Sequence, residues 1–468
     1  PARPAAPATA GIATALITGE RAGVADSDYA ALRDSGLAHL LAISGLHLTM
    51  VAGGAFWTLR LLLALFEGPA LAWPTKKLAA AGGLIVTGAY LALSGAPVSA
   101  VRASLMLAVM FTAILLDRPA ITLRLVSLAA LVILALYPES LLEAGFQMSF
   151  AAVVALVAVY EHYRSWTVRF TPSGHLPLAL RVLKIAGIYL LANMATSLVA
   201  GLATSPFSAF HFHRVSNYEL IANLAAVPVM ANLVMPAGLL GVILMPLGLE
   251  AGPLGVMAFG IETILGVGHG VSALPGAVTL VPAGPGPALG ALCLGGLLIA
   301  LTRGHLRWAG LAPIALGLVL WAGTPRPILL VDGDGETVAL RAGDGGFAIV
   351  SGRTEGFSTE RWIEREGLSE PSRSRQGLLT CDGWGCIGEA GGHGVALVED
   401  GRALADDCRW AEIVIARIVV RDCPSARIVI DRFALWDGGA HAIWRKGEDL
   451  VVRSVAETRG QRPWSGAQ

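Results

Sequence analysis

Apolar residues run without interruption for longer than any soluble helix needs, and they do so about ten times along the chain. The runs fall at about residues 37–66, 78–95, 98–116, 120–137, 140–160, 185–204, 218–249, 252–275, 285–302 and 307–323. Each approaches the ~20 residues that carry a helix across a ~30 Å hydrocarbon core. Bare backbone is costly in lipid, so these runs predict helices, and their length and lack of alternation exclude a transmembrane β-barrel. The run from Tyr218, "YELIANLAAVPVMANLVMPAGLLGVILMPLG", is interrupted by Pro228, Asn232 and Pro236, which predicts either one kinked span or two half-helices. Past residue 327 the pattern changes. "PILLVDGDGETVALR", "GGFAIVSG", "AEIVIARIVV" and "ARIVIDRF" read as short strands around Gly/Asp turns. The expected fold is a polytopic α-helical membrane protein of roughly ten transmembrane or half-spanning helices, followed by a small soluble α/β or mainly β domain. The boundaries read as an extracytoplasmic amphipathic lead-in over 1–36, a helical membrane domain over 37–323 and the soluble domain over 328–468.

Composition agrees with a membrane chain: 54% of the 468 residues are hydrophobic and 15% charged. The formal net charge of zero hides a split, with 17 basic and 12 acidic side chains in residues 1–327 against 17 and 22 in residues 328–468. Basic residues in short loops favour the cytoplasmic side. Lys76 with Lys77, Arg118 with Arg124, the group Arg164, Arg169, Arg181 and Lys184, and Arg303 with Arg307 are placed there. The segment before residue 37 and the tail then lie outside, provided that an even number of crossings separates Lys184 from Arg303. The chain opens at Pro1 without a signal-peptide pattern and is expected to be part of something longer.

Polar groups inside the apolar runs are the candidate chemistry, because they are expensive in lipid. "HLLAISGLHLTM", residues 39–50, holds His39, Ser44, Gly45 and His47. On a continuous helix these lie on one broad face, with Ser44-Gly45 a small-residue patch for a neighbouring helix. The plain reading is helix packing; the functional one is a polar lining or gate. Arg102 begins another run, where it either snorkels to the interface or pairs with Glu143. Glu143 and Gln147 share a face, and Asn193, Asn223, Asn232 and Glu262 interrupt later runs.

Four of the five cysteines, Cys381, Cys386, Cys408 and Cys423, sit in the tail. On an oxidising side they predict two disulfides in the local pairing Cys381 to Cys386 and Cys408 to Cys423. The competing reading is a four-thiolate zinc site, against which stands the absence of C-x2-C spacing.

"TALITGERAGV", "LRDSGLAHLLAISGLHLTMVAG", "LSGAPVSAVRASLM", "RLVSLAALVILALYPESLLEAGFQMSFAAV" and "NLAAVPVMANLVMPAGLL" resemble the competence domain of the ComEC family over about residues 11–325. The resemblance implies a bacterial inner-membrane channel that moves single-stranded DNA from periplasm to cytoplasm during natural transformation. It also implies an external OB-like domain ahead of the spans, and partners in a periplasmic DNA receptor and a cytoplasmic ATPase or helicase. "ILLVDGDGETVALR" resembles the opening of the metallo-β-lactamase-like domain with which that family often ends. The H-x-H-x-D-H zinc run that should follow is missing: the one H-x-H is His211-Phe212-His213, and the tail holds just His393 and His441. A degenerate, non-nucleolytic tail is therefore expected, with no cofactor and no metal.

A single strand needs cations for its phosphates and aromatic faces for its bases. The candidates are Arg102, then His211, His213 and Arg214 at an outer loop, and the Arg164–Lys184 loop inside, with Trp57, Phe146, Phe150 and Tyr218 for stacking. Their ordinary reading is interfacial belts and topology signals. No G-x-x-x-x-G-K-[ST] run is present, so driving force is expected from a partner or the membrane potential. Two other classes stay open: a secondary transporter of a small polar solute, using the proline-broken spans, and an intramembrane hydrolase built on Ser44 and His47.

Overall fold

The computed structural model describes residues 7–41, 43, 45–167, 177–343, 345–351, 356–368 and 379–460. It divides into two compact units, one of Pro1–Thr279 with Leu289–Gly317, the other of Leu280–Ala288 with Leu318–Gln468.

The first unit is helical. Each of the ten apolar runs contains an α-helix, because apolarity over a membrane's thickness needs no particular partner to be satisfied. Among the described residues eight helices are long and apolar enough to cross a membrane, while Leu123–Leu136 and Gly286–Leu301 are shorter. The longest, Leu178–Phe212, has 35 residues, about 52 Å at 1.5 Å per residue. It carries Arg181 and Lys184, which therefore belong to a helix rather than to the loop expected there.

Two expectations are corrected. First, residues 37–66 are not one helix. Ala38–Leu40 is a short 3-10 turn and the long helix begins at Gly45. The break is held from a neighbouring helix: Ser99 Oγ donates to the Ile43 carbonyl at 2.8 Å, replacing the helical bond that carbonyl lacks. Second, the segment before residue 37 is no separate lead-in. Helices Pro7–Thr18 and Asp26–Asp34 put Ile12, Leu16 and Leu32 into the same core as Met230, Val234, Met257 and Ile261. At 12 residues the first is too short to read as a span, but its apolar side is buried all the same.

The interrupted run takes the first of its two alternatives, a single bent span. Helix Glu219–Val229 passes into a π turn at Met230–Val234 and on into Met235–Leu244. Pro228 and Pro236 each remove a backbone donor, and between them Asn232 Nδ2 donates to the Pro228 carbonyl at 2.9 Å and to the Tyr189 hydroxyl at 3.1 Å. At Gly295 and Gly310 two backbones meet directly: a Cβ on either glycine would lie 2.5 Å from the other's carbonyl oxygen. Two short strands, β1 (Arg214–Ser216) and β2 (Val278–Leu280), follow the long helix and helix Ala251–Ser272 respectively.

The second unit holds two five-stranded sheets, as the strand-like runs require. One is antiparallel in the order β12 (Asp449–Ser454), β11 (His441–Lys446), β3 (Leu329–Val331), β4 (Thr337–Arg341), β5 (Phe347–Ser351). The other is mixed: β10 (Ile428–Ile430), β9 (Ile413–Ala416), β8 (His393–Val398), β7 (Gly385–Ala390), β6 (Leu379–Cys381). Side chains alternate across each strand. Leu329, Val331, Val395, Leu397, Ile413 and Ile415 point into the core between the sheets. Their neighbours Ala396, Val398, Val414 and Ala416 are buried on the far side against Leu404 and Cys423, and Leu330 lies against Trp362 of helix Phe357–Arg365. Burial on both faces explains why these strands read as unbroken apolar runs.

Candidate functional site

Polar side chains of the helical unit meet in a series of pairs at the ends of its elements. Arg102, in the second turn of helix Val98–Leu115, is 8% exposed. Its Nη1 donates to Glu143 Oε2 at 3.0 Å. A buried guanidinium is strongly disfavoured without a counter-charge, so this pair replaces the snorkelling alternative. The fit is close: a Cβ on Gly145 would lie 2.4 Å from Arg102 Nη2, so the glycine at the start of the next helix makes room for the cation.

One turn beyond, Gln147 bridges two elements. Its Nε2 donates to the Leu141 carbonyl at 2.9 Å, and its Oε1 lies 2.8 Å from His211 Nε2 at the end of the 35-residue helix. His213 caps that helix in the left-handed conformation, φ 56°. Arg214 follows, and its Nη1 donates to Asp34 Oδ1 at 2.9 Å, an oxygen that also accepts from Arg33 Nε at 2.9 Å. The residues expected on two different grounds, lining and nucleic-acid contact, thus join through Gln147 and His211.

Other expected residues stand apart. His39 is exposed outside the long helix, with Nδ1 2.9 Å from the Gly36 carbonyl, while His47 is fully buried inside it; the break between them removes the shared helical face. Ser44 lies outside the described residues. Gly45 opens the helix, and a Cβ there would touch Ala103 at 3.7 Å. Phe146 and Phe150 pack against one another with tilted rings, centroids 4.4 Å apart, and are 5% and 8% exposed. They are core residues and offer no face to a base, which corrects their expected role. Trp57 is 63% exposed, with Arg60 5.4 Å above its ring, and the Tyr218 hydroxyl donates to the Pro275 carbonyl at 3.1 Å.

Asp34 and Asp28 had no prior signal, since they lie in a polar stretch ahead of the spans. Asp28 Oδ1 meets His269 Nε2 at 2.8 Å. In the tail the four cysteines are joined Cys381 to Cys386 and Cys408 to Cys423. His393 Nδ1 is 3.1 Å from Glu412 Oε2, and His441 is buried at the start of its strand.

The family model described as Competence protein matches residues 16–307. ComE operon protein 3 of Bacillus subtilis (strain 168) is 29% identical over 252 residues, 53% of this chain and 28% of that protein. An uncharacterized protein of Escherichia coli (strain K12), YcaI, is 30% identical over 220 residues, 47% of this chain and 27% of that protein. The chain therefore aligns with under a third of the length of these relatives. No solved structure matches.

Proposed function

The chain belongs to the competence protein family, and from that premise we propose that it serves DNA uptake, carrying single-stranded DNA across the bacterial inner membrane from periplasm to cytoplasm. The observation that carries the reading is the line of polar pairs Arg102–Glu143, Gln147–His211 and Arg214–Asp34 within an otherwise apolar helical unit. Intramembrane ionisable groups are retained where they act, and a polyanion needs cations along its way. Arg102 and Arg214 supply them and His211 adds an N–H donor, each held by an acceptor that fixes its position until phosphate competes for it.

The loop cations favour the orientation with the tail in the periplasm, and its two disulfides suit that oxidising side. The tail takes no part in strand degradation on this reading: its two histidines are His393, held by Glu412, and His441, closed into a strand. Nuclease activity of the purified chain with manganese or zinc would overturn that part. Energy comes from a cytoplasmic ATPase or helicase or from the membrane potential, and a periplasmic receptor delivers the DNA.

The test is uptake of labelled DNA by cells whose full-length protein carries Arg102→Ala or His211→Ala, with membrane levels checked. Loss of cytoplasmic DNA while periplasmic DNA and protein level stay intact is expected. Normal uptake in both variants returns these residues to packing roles. A second reading, a secondary transporter of a small polar solute, draws on the interrupted span at Met230–Val234; solute-dependent proton flux in proteoliposomes would favour it.

A further inference from the structure

We propose that Glu219 and Asn223 form a binding site for a small monovalent cation, a proton or Na+, within the helical unit. Glu219 stands in the first turn of the interrupted span, and Asn223, four residues on, shares its face. Asn223 is 6% exposed. Its Nδ2 donates to Glu219 Oε1 over a long 3.4 Å, and its Oδ1 is buried with no hydrogen-bond donor among the described residues. A buried amide oxygen left unsatisfied costs roughly 1–3 kcal/mol, so its persistence beside a carboxylate marks a place where a positive ligand completes the bonding.

Two glycines keep the wall of the site clear. Gly36 has φ +83°, and a Cβ there would lie 2.8 Å from Glu219 Cβ and Cγ; a Cβ on Gly201 would lie 3.8 Å from Glu219 Oε2. The carboxylate thus sits between the Gly36 turn and the long helix Leu178–Phe212 with no side chain at either position. The charged groups on the surrounding elements are engaged elsewhere. Arg33 and Arg214 are on Asp34, and His269 is on Asp28. Among the described residues Glu219 has no cation within ion-pair distance.

The plain alternative is that an acid in a helix's first turn is there for the helix dipole, worth about 0.3–1 kcal/mol. That accounts for Glu219 and leaves Asn223 Oδ1 unexplained, and the hydrogen bond the carboxylate accepts comes from Asn223, not from the helix's free N–H groups. Glu219 is half-buried, and a carboxylate with part of its water removed and no partner cation is completed by taking one up. A proton on Glu219 gives an O–H that donates to Oδ1 once the amide turns over. With the same turn of the amide, Na+ would take a carboxylate oxygen and Oδ1 as two hard oxygen ligands. Loading removes a negative charge from the start of a span that bends at its π turn, as coupling-ion sites in interrupted helices do. That coupling rests on the transport reading above; the binding does not.

The test needs no DNA. The purified full chain in lipid is treated with dicyclohexylcarbodiimide, which modifies protonated carboxyls in water-poor surroundings, and the peptide bearing Glu219 is weighed by mass spectrometry. Glu219 is expected to label, with a several-fold fall as pH is raised, and the Glu219→Gln chain is expected to give no adduct on that peptide. A further fall with sodium chloride but not choline chloride identifies Na+; indifference to sodium identifies the proton. Asn223→Ala removes the Nδ2 donor from the carboxylate and is expected to move the labelling to higher pH. An unlabelled Glu219, or labelling indifferent to both pH and sodium, overturns the site and leaves the uptake experiment untouched.

Discussion

Arg102 and Glu143 form an unequal pair: the guanidinium side chain is 9% exposed and the carboxylate side chain 43%, across a 3.0 Å bond. Removing the acid strands a buried cation, whereas replacing the arginine by an apolar side chain of similar length removes the buried charge altogether. Glu143→Ala is therefore expected to lower stability by about 1–3 kcal/mol, and by more than Arg102→Met does. The half-exposed carboxylate keeps the figure toward the lower end. Thermal unfolding of both variants in detergent measures the order, and the reverse order would show that Arg102 is solvated in some other way.

Gly145 should be intolerant of the smallest side chain. Gly145→Ala places its Cβ 2.4 Å from Arg102 Nη2, so the cation must move. The expected outcome is the uptake defect of Arg102→Ala at unchanged protein level. Gly187→Ala, where a Cβ meets nothing within 4 Å, is the control and should behave as the parent. Equal uptake by all three chains would detach the Arg102 position from function.

Thiol chemistry checks both the tail and its side of the membrane. Alkylation under denaturing, non-reducing conditions should modify Cys293 alone, the one free cysteine, and all five cysteines after reduction. Chain-entropy arguments give the Cys408–Cys423 bridge, with a sequence separation of 15, the larger effect: about 3 kcal/mol, against about 2 kcal/mol for Cys381–Cys386. Five reactive thiols in freshly lysed cells would put the tail in the reducing compartment and reverse the orientation.

Acid should loosen the sheet that contains His441. Burial holds this imidazole below the ordinary histidine range, outweighing the Gly439 hydrogen bond and the nearby Glu457 charge. Above the unfolded value of about 6.5 the ring is neutral in both states and its contribution to stability is complete. As pH falls, the unfolded chain takes up its proton first, so stability is lost from there down to the folded value. Hydrogen exchange in β11 should quicken from about pH 7.5 to about pH 5.5 beyond the intrinsic trend, and His441→Gln should flatten the difference.

How much of this was legible in the residues depends on how far each feature needs a distant partner. The helices were legible because lipid alone dictates them, and Glu143 was a readable partner for Arg102 because a cation in an apolar run demands an acid. The break ahead of Gly45 was not, since hydropathy is blind to an interruption at which the Ile43 carbonyl is bonded by Ser99 from another helix. Asp34 lies 180 positions from Arg214 and carries no local mark of that contact. Phe146 and Phe150 were misassigned to stacking because an aromatic looks the same in sequence whether it faces a path or Ile133.

The backbone contact between Gly295 and Gly310 has a consequence for how this gene can drift. Every single-base change in a glycine codon that alters the residue adds at least a Cβ, and at either position that atom would lie 2.5 Å from a carbonyl oxygen. Neither helix can yield locally without breaking its own hydrogen bonds. In a saturation library selected for a folded membrane pool, these two codons should be emptied of all but synonymous variants, while those of Gly290 and Gly296, whose added Cβ meets nothing within 4 Å, should stay diverse.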